Sequence, residues 1–367
     1  MKKNDVIERN KCTGCMACKN ICPKNAITIY EEQDGFKYPK IDEEKCIKCG
    51  LCKKVCPVIN KLSENQYKIS VYASINKEKD IRLKSSSGGI FTLIAKYIID
   101  NKGVVFGAKF NEKLEVIHDY IEKEEDIELF RRSKYVQSNI GDTYKKAKEI
   151  LMQGRKVLFT GTPCQIEGLL GYLGREYENL YTQDIICHGV PSPKVWRKYI
   201  EYKKKEKGEY PLEVNFRRKD ILGWSNFQVN YKYSKLEENF HHDEDIYMKL
   251  FLNNLDLRES CYNCSFKKKN RKSDITIADF WGINNFLPKL NDELGVSAVI
   301  INTKKGQEIF ENIKKYMKYE KTDLNNVILD NSCMIESVKY NERRKDFFEK
   351  LEKLEFGELI KEFEKYL

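Results

Sequence analysis

The chain has 367 residues, of which 41% are hydrophobic, 33% charged and 12% aromatic, a balance that excludes a disordered or fibrous protein and allows a buried core. No apolar run nears the roughly 20 residues of a spanning helix, and no apolar stretch follows the N-terminal lysines, so neither membrane insertion nor a signal peptide is expected and a cytoplasmic location is. The net charge of +10 would suit nucleic acid, but in a reducing compartment many of the thirteen cysteines are expected to be metal-bound thiolates. Three 4Fe-4S centres would bring the total to about +4. With no finger spacing and no aromatic-basic RNA motif, nucleic-acid binding is not expected.

Eight cysteines lie in the first 56 residues in two copies of C-x-x-C-x-x-C-x-x-x-C-P: Cys12, Cys15, Cys18 and Cys22, then Cys46, Cys49, Cys52 and Cys56. Three ligands at two-residue gaps wrap one cubane, and the fourth, redirected by proline, reaches the other. The spacing therefore predicts interleaved sets: Cys12, Cys15, Cys18 and Cys56 for one 4Fe-4S cluster, and Cys46, Cys49, Cys52 and Cys22 for the second. Zinc knots separate two C-x-x-C pairs by a longer stretch and have no use for a third cysteine at this gap. The segment resembles the bacterial-type two-cluster ferredoxins, which implies a ferredoxin-like domain over residues 1–62.

After a polar stretch the pattern becomes alternating strands and helices, predicting a mixed α/β domain over residues 68–320. Val71 to Ile75 reads as a strand, and Ile90, Phe91, Ile94 and Ile98 mark one face of a helix that stops at Gly103. Before that helix stands Ser85-Ser86-Ser87-Gly88-Gly89, whose hydroxyls and free backbone N–H groups suit a phosphate. Val104 to Ala108, Val116 to Ile121 and Lys156 to Thr160 read as strands and Asp142 to Gln153 as a helix. Cys164 and Cys187 each follow an apolar strand, and Ser192-Pro193 starts a helix after the second. Ligands collect at the carboxyl ends of strands in open α/β sheets, so these two cysteines and the Cys261/Cys264 clip form a four-ligand set for a third 4Fe-4S cluster. Cys333 is assigned to the core.

Leu212 to Arg218 and Phe227 to Tyr233 read as antiparallel strands, Asp274 to Phe280 and Val296 to Ile301 as further strands, and Thr303 starts a helix. From Asn341 the chain is a charged amphipathic helical segment, within a C-terminal region of residues 321–367. Lys203, Lys204 and Lys205 read as a solvated helix face, and His241-His242 as a polar loop. No side chain is identified as a catalytic acid, base or nucleophile.

The segments SSSGGIF, SKYVQSNIG, LFTGTPCQIEGL, DIICHGVPSP, FRRKDILGW, LRESCYNC and DITIADFWG resemble the beta subunits of coenzyme F-420 hydrogenases and dehydrogenases. Ala278 departs from a frequent glycine. The resemblance implies an anaerobic FAD-containing iron-sulfur oxidoreductase. Ser86, Ser87, Gly88, Gly89, Tyr135, Gln137 and Ser138 would then hold FAD, and Cys164, Cys187, Cys261 and Cys264 the cluster beside it. The implied partners are a soluble hydride carrier, coenzyme F-420 or NAD(P)H, drawn by Arg131, Arg132, Lys134, Arg217 and Arg218, and a redox partner protein. The alternative is an electron-transfer adaptor without substrate turnover of its own.

Overall fold

The computed structural model describes residues 5–63 and 66–367. The lysine-bearing start (residues 1–4) and residues 64 and 65 of the expected linker lie outside the described residues. At the N-terminus, short helices Ala17–Ile21 and Leu51–Lys54 flank an antiparallel hairpin of β1 (Ile27–Glu31) and β2 (Lys37–Ile41). The cysteine loops lead into these two helices.

The centre is an eight-stranded mixed sheet. Its strands are β3 (Ser70–Asn76), β4 (Val104–Phe110), β5 (Val116–Ile121), β6 (Val157–Thr160), β7 (Leu180–Ile185), β11 (Ile275–Asp279), β12 (Ser297–Ile301) and β13 (Met317–Thr322). They run in the order β13-β3-β12-β11-β7-β6-β4-β5. Four consecutive strands, β11, β7, β6 and β4, are mutually parallel, and the remaining pairings are antiparallel. Val157, Leu158 and Phe159 of β6 are all buried, as are all five residues of β12. Such continuous apolar runs are what a strand covered on both faces requires.

A separate antiparallel meander contains β8 (Glu213–Arg218), β9 (Gln228–Lys232) and β10 (Glu237–His241), in the order β10-β9-β8. It packs with the helix Pro193–Lys207 and the C-terminal helices Arg344–Leu351 and Phe356–Phe363 around Trp196, Tyr199 and Tyr247. Ser192 caps the Pro193–Lys207 helix through the N–H groups of Lys194 and Val195, Pro193 occupies its first turn, and Gly208 ends it in the left-handed region. The helix Phe356–Phe363 buries Phe356, Leu359, Ile360 and Phe363, so the charged C-terminal segment packs onto the body. Among the described residues no helix is long and apolar enough to cross a membrane.

Three local readings are corrected. Lys203 is buried and pairs with Glu238 at 3.1 Å, because the meander covers that side of its helix; Lys204 is half-buried and only Lys205 of the three is exposed. Met317–Thr322 is an edge strand across the 320/321 division, one its exposed, polar pattern conceals. Cys333 is only partly buried and faces a cavity.

Candidate functional site

The parallel strands aim their carboxyl ends at one region, and their successors build it. After β6, Gly161 and Thr162 lead to the helix Pro163–Leu173. Thr162 and Gln165 form a reciprocal capping box at its start, which fixes Cys164 in the first turn. Cys187 stands two residues beyond β7, and Cys261 and Cys264 lie in and just after the turn Glu259–Asn263. These four cysteines, drawn from three separated segments, line a single enclosed cavity. They are only partly buried, and the surface they keep faces that cavity. Burial pushes the Cys187 thiol up to about 12 and that of Cys261 up to about 11, against the pull of the nearby Lys267. Cys164 is likewise raised, first by burial and then by Cys264. Thiols held neutral in this way become ligands only by releasing protons to a metal centre.

Cys12, Cys15, Cys18 and Cys56 line a second enclosed cavity, in the N-terminal module. These are the four that the interleaved assignment groups together. Cys46 and Cys49 are electrostatic neighbours of Cys52. Cys49 is exposed, on a loop open to solvent. Cys22 accepts a hydrogen bond from the Ala26 N–H at 3.2 Å.

The two enclosed cavities are adjacent. Thr13 lines both. Gly168, one turn along the helix that carries Cys164, packs against Cys15: a Cβ added there would stand 3.0 Å from the Cys15 Sγ and 2.9 Å from its Cβ.

On the other side of Cys187 opens the largest void, about 730 Å³. It shares Thr162, Cys187, His188, Gly189 and Val190 with the four-cysteine cavity. Ser86, Ser87, Gly89, Tyr135 and Ser138 line it; Gly88 and Gln137 do not. Gly88 donates its N–H to Ser297 Oγ at 3.0 Å. Gln137 turns away and donates to the Thr13 carbonyl at 2.9 Å. The helix Ile90–Asp100 begins at this void with no side-chain cap, leaving its first N–H groups for a ligand. The loop before it is held by Lys219, which donates to the carbonyls of Ser87 (2.7 Å) and Leu294 (2.6 Å).

Arg131, Arg132, Lys134 and Arg217 line the void, whereas Arg218 turns to Asp220 and Glu237. Arg217 grips Asp279 with both terminal nitrogens at 3.1 Å. Lys134 is pushed down to about 7 by burial and by Arg132, and donates to the carbonyls of Leu129 and Arg131. Three buried polar atoms of the lining have no partner: His118 Nδ1, Gln183 Oε1 and Arg217 Nε. Burial lowers His118 to about 4, so it is neutral, with Nε2 bonded to the Thr160 carbonyl at 3.0 Å.

Several lining residues were missed by sequence reasoning. His118 sits mid-strand with no local signal. His242 stacks on Phe227 beside the void, while His241 pairs with Asp243. Cys333 lies 3.5 Å from His188 Nδ1, whose Nε2 meets Asn254 Oδ1 at 2.7 Å. Arg258 lines the four-cysteine cavity and donates to the Cys12 carbonyl; its only signal is its place in LRESCYNC.

Residues 154–327 match the family described as the C terminus of the coenzyme F-420 hydrogenase/dehydrogenase beta subunit, and residues 11–60 match the 4Fe-4S dicluster domain. Among solved structures, a chain of the xenon-derivatized F-420-reducing NiFe hydrogenase complex from Methanosarcina barkeri is similar at 16% identity. The likeness covers 74% of this chain and 91% of that chain, with a TM-score of 0.49. No curated protein matches.

Proposed function

We propose that this chain, which belongs through residues 154–327 to the coenzyme F-420 hydrogenase/dehydrogenase beta-subunit family and carries a 4Fe-4S dicluster domain at residues 11–60, is an iron-sulfur flavoprotein oxidoreductase. It would pass electrons between a soluble hydride carrier, coenzyme F-420 or NAD(P)H, and a one-electron partner. The observation that carries the reading is contiguity. The large void, the four-cysteine cavity and the Cys12/Cys15/Cys18/Cys56 cavity share walls in that order.

Cys12, Cys15, Cys18 and Cys56 would hold an inner N-terminal cluster, Cys46, Cys49, Cys52 and Cys22 an outer one at the surface, and Cys164, Cys187, Cys261 and Cys264 the third. The 730 Å³ void suits FAD, with its pyrophosphate at Ser86, Ser87 and Gly89 over the uncapped helix start. Flavin supplies the conversion of a two-electron hydride into single electrons, which iron-sulfur centres need. The chain's own part is positional. Arg131, Arg132 and Lys134 would favour an anionic carrier at the mouth of the void, and Cys187, which lines both spaces, would stand between void and cluster.

Anaerobic reconstitution followed by iron and flavin analysis tests the reading, with about twelve irons and one flavin per chain expected. Bleaching of the flavin by reduced coenzyme F-420 or NAD(P)H alone separates this enzyme from an adaptor that only relays electrons. About eight irons and no flavin would overturn it.

A further inference from the structure

Arg258 is 1% exposed, and each of its three guanidinium nitrogens donates a hydrogen bond. Nε donates to the Cys12 carbonyl at 2.6 Å, Nη1 to Gln137 Oε1 at 2.9 Å and Nη2 to the Lys37 carbonyl at 3.0 Å. Its face lies over the Tyr38 ring, 4.3 Å from the centroid. All three acceptors are neutral. Among the described residues no carboxylate pairs with it: Asp34, whose field reaches it, is taken by Arg9 at 2.9 Å and Arg344 at 3.3 Å. The remaining groups that face it are Tyr38, Cys12 and Cys261. A buried cation without a charged partner is strongly unfavourable. Yet Arg258 stands where two cysteine sets meet: it is bonded to the backbone of one ligand, Cys12, and lines the cavity of Cys164, Cys187, Cys261 and Cys264.

We propose that Arg258 is the built-in counter-cation of two iron-sulfur centres, the inner N-terminal one and the third, and that its charge raises the reduction potential of both. The inference rests on the cluster assignment proposed for the three cysteine sets. Each centre with four thiolates is anionic and takes up one electron without a proton, so its charge falls by one on reduction. A fixed positive charge in a desolvated position favours the more negative state. The outer centre, at Cys46, Cys49 and Cys52, has no such contact with Arg258 among the described residues, so the charge selects two centres of three. Arg258 is thus a positioning residue that acts through its field.

The test is a dithionite redox titration of the anaerobically reconstituted full chain, followed by electron paramagnetic resonance, in wild type, Arg258→Gln and Arg258→Lys, with iron counted in each. In Arg258→Gln two of the three potentials are expected to fall by at least a tenfold change in the reduction equilibrium, about 59 mV for one electron, while the third stays. Arg258→Lys keeps the charge and is expected to restore most of the shift. Gln137→Glu places a carboxylate against the guanidinium and is expected to lower the same two potentials; it carries the test should Arg258→Gln fail to assemble. Unchanged potentials at full iron, an equal shift of all three, or a loss in Arg258→Lys as large as in Arg258→Gln would overturn the proposal. A wild-type iron content of about eight would overturn the cluster assignment and the proposal with it.

Discussion

The outer cysteine loop and the inner four-cysteine cavity present the same side chain under opposite conditions. Cys46, Cys49 and Cys52 lie close together in sequence on a loop that is mostly exposed, with Cys49 open to solvent and Ile47 57% exposed. Cys164, Cys187 and the Cys261/Cys264 clip are far apart along the chain and meet only because two parallel strands and a turn deliver them to one point. The first arrangement is mostly local, three of its four cysteines lying within seven residues. The second depends on the whole sheet. It follows that an exposed centre suits exchange with an external protein, whereas the enclosed one suits transfer from a neighbouring cofactor.

The largest effect should come from Cys187→Ser, since Cys187 walls both the large void and the four-cysteine cavity. Iron should fall from about twelve to about eight per chain. The donor should still bleach the flavin, but reduction of the N-terminal centres should slow at least a hundredfold by stopped-flow absorbance. If those centres still reduce at the wild-type rate, the inner cavity is no relay. Cys49→Ser should be milder: about four irons lost, the flavin and both inner centres still reduced by the donor, and only transfer to an external protein acceptor slowed. Bleaching spectra with and without an added ferredoxin distinguish the two.

The smallest effect sharpens the contrast through a titratable group of the interior. Asp256 is fully buried, both carboxylate oxygens lack partners, and burial pushes it up to about 8 despite Arg344. The folded-state value lies above the ordinary one near 3.9. Its contribution to stability is therefore fully present below about pH 4 and is lost as pH rises through about 8. Asp256→Asn should remove that loss, leaving the melting midpoint unchanged at about pH 4 and raising it by roughly 2–4 °C or more at about pH 8. A thermal melt series across pH checks it, and a parallel fall in both proteins would place the pH sensitivity elsewhere.

The N-terminal dicluster domain was legible because its information is local, in spacing and a following proline; the structure gathers Cys12, Cys15, Cys18 and Cys56 around one cavity. Buried strands such as Val157–Thr160 and Ser297–Ile301 were legible too, since burial on both faces demands an unbroken apolar run. What the sequence hid was whatever depends on partners far along the chain. Lys203 looks like any surface lysine until β10 brings Glu238 against it. Gln137 and Ser138 sit side by side in one motif, yet strand-like alternation sends Ser138 to the void and Gln137 to the N-terminal module. Met317–Thr322 is polar because only an edge position is asked of it. Arg258 is one charged residue among 122, and nothing local marks it as buried.

The contact of Gly168 with Cys15 has a kinetic meaning. One helix carries Cys164 in its first turn and touches the N-terminal module a turn later, so backbone geometry, rather than a binding equilibrium between two bodies, sets the gap between their sulfurs. Electron passage across that gap would then be first-order, indifferent to protein concentration and to salt, and a bulky side chain at position 168 would press directly on the Cys15 sulfur and lengthen the jump.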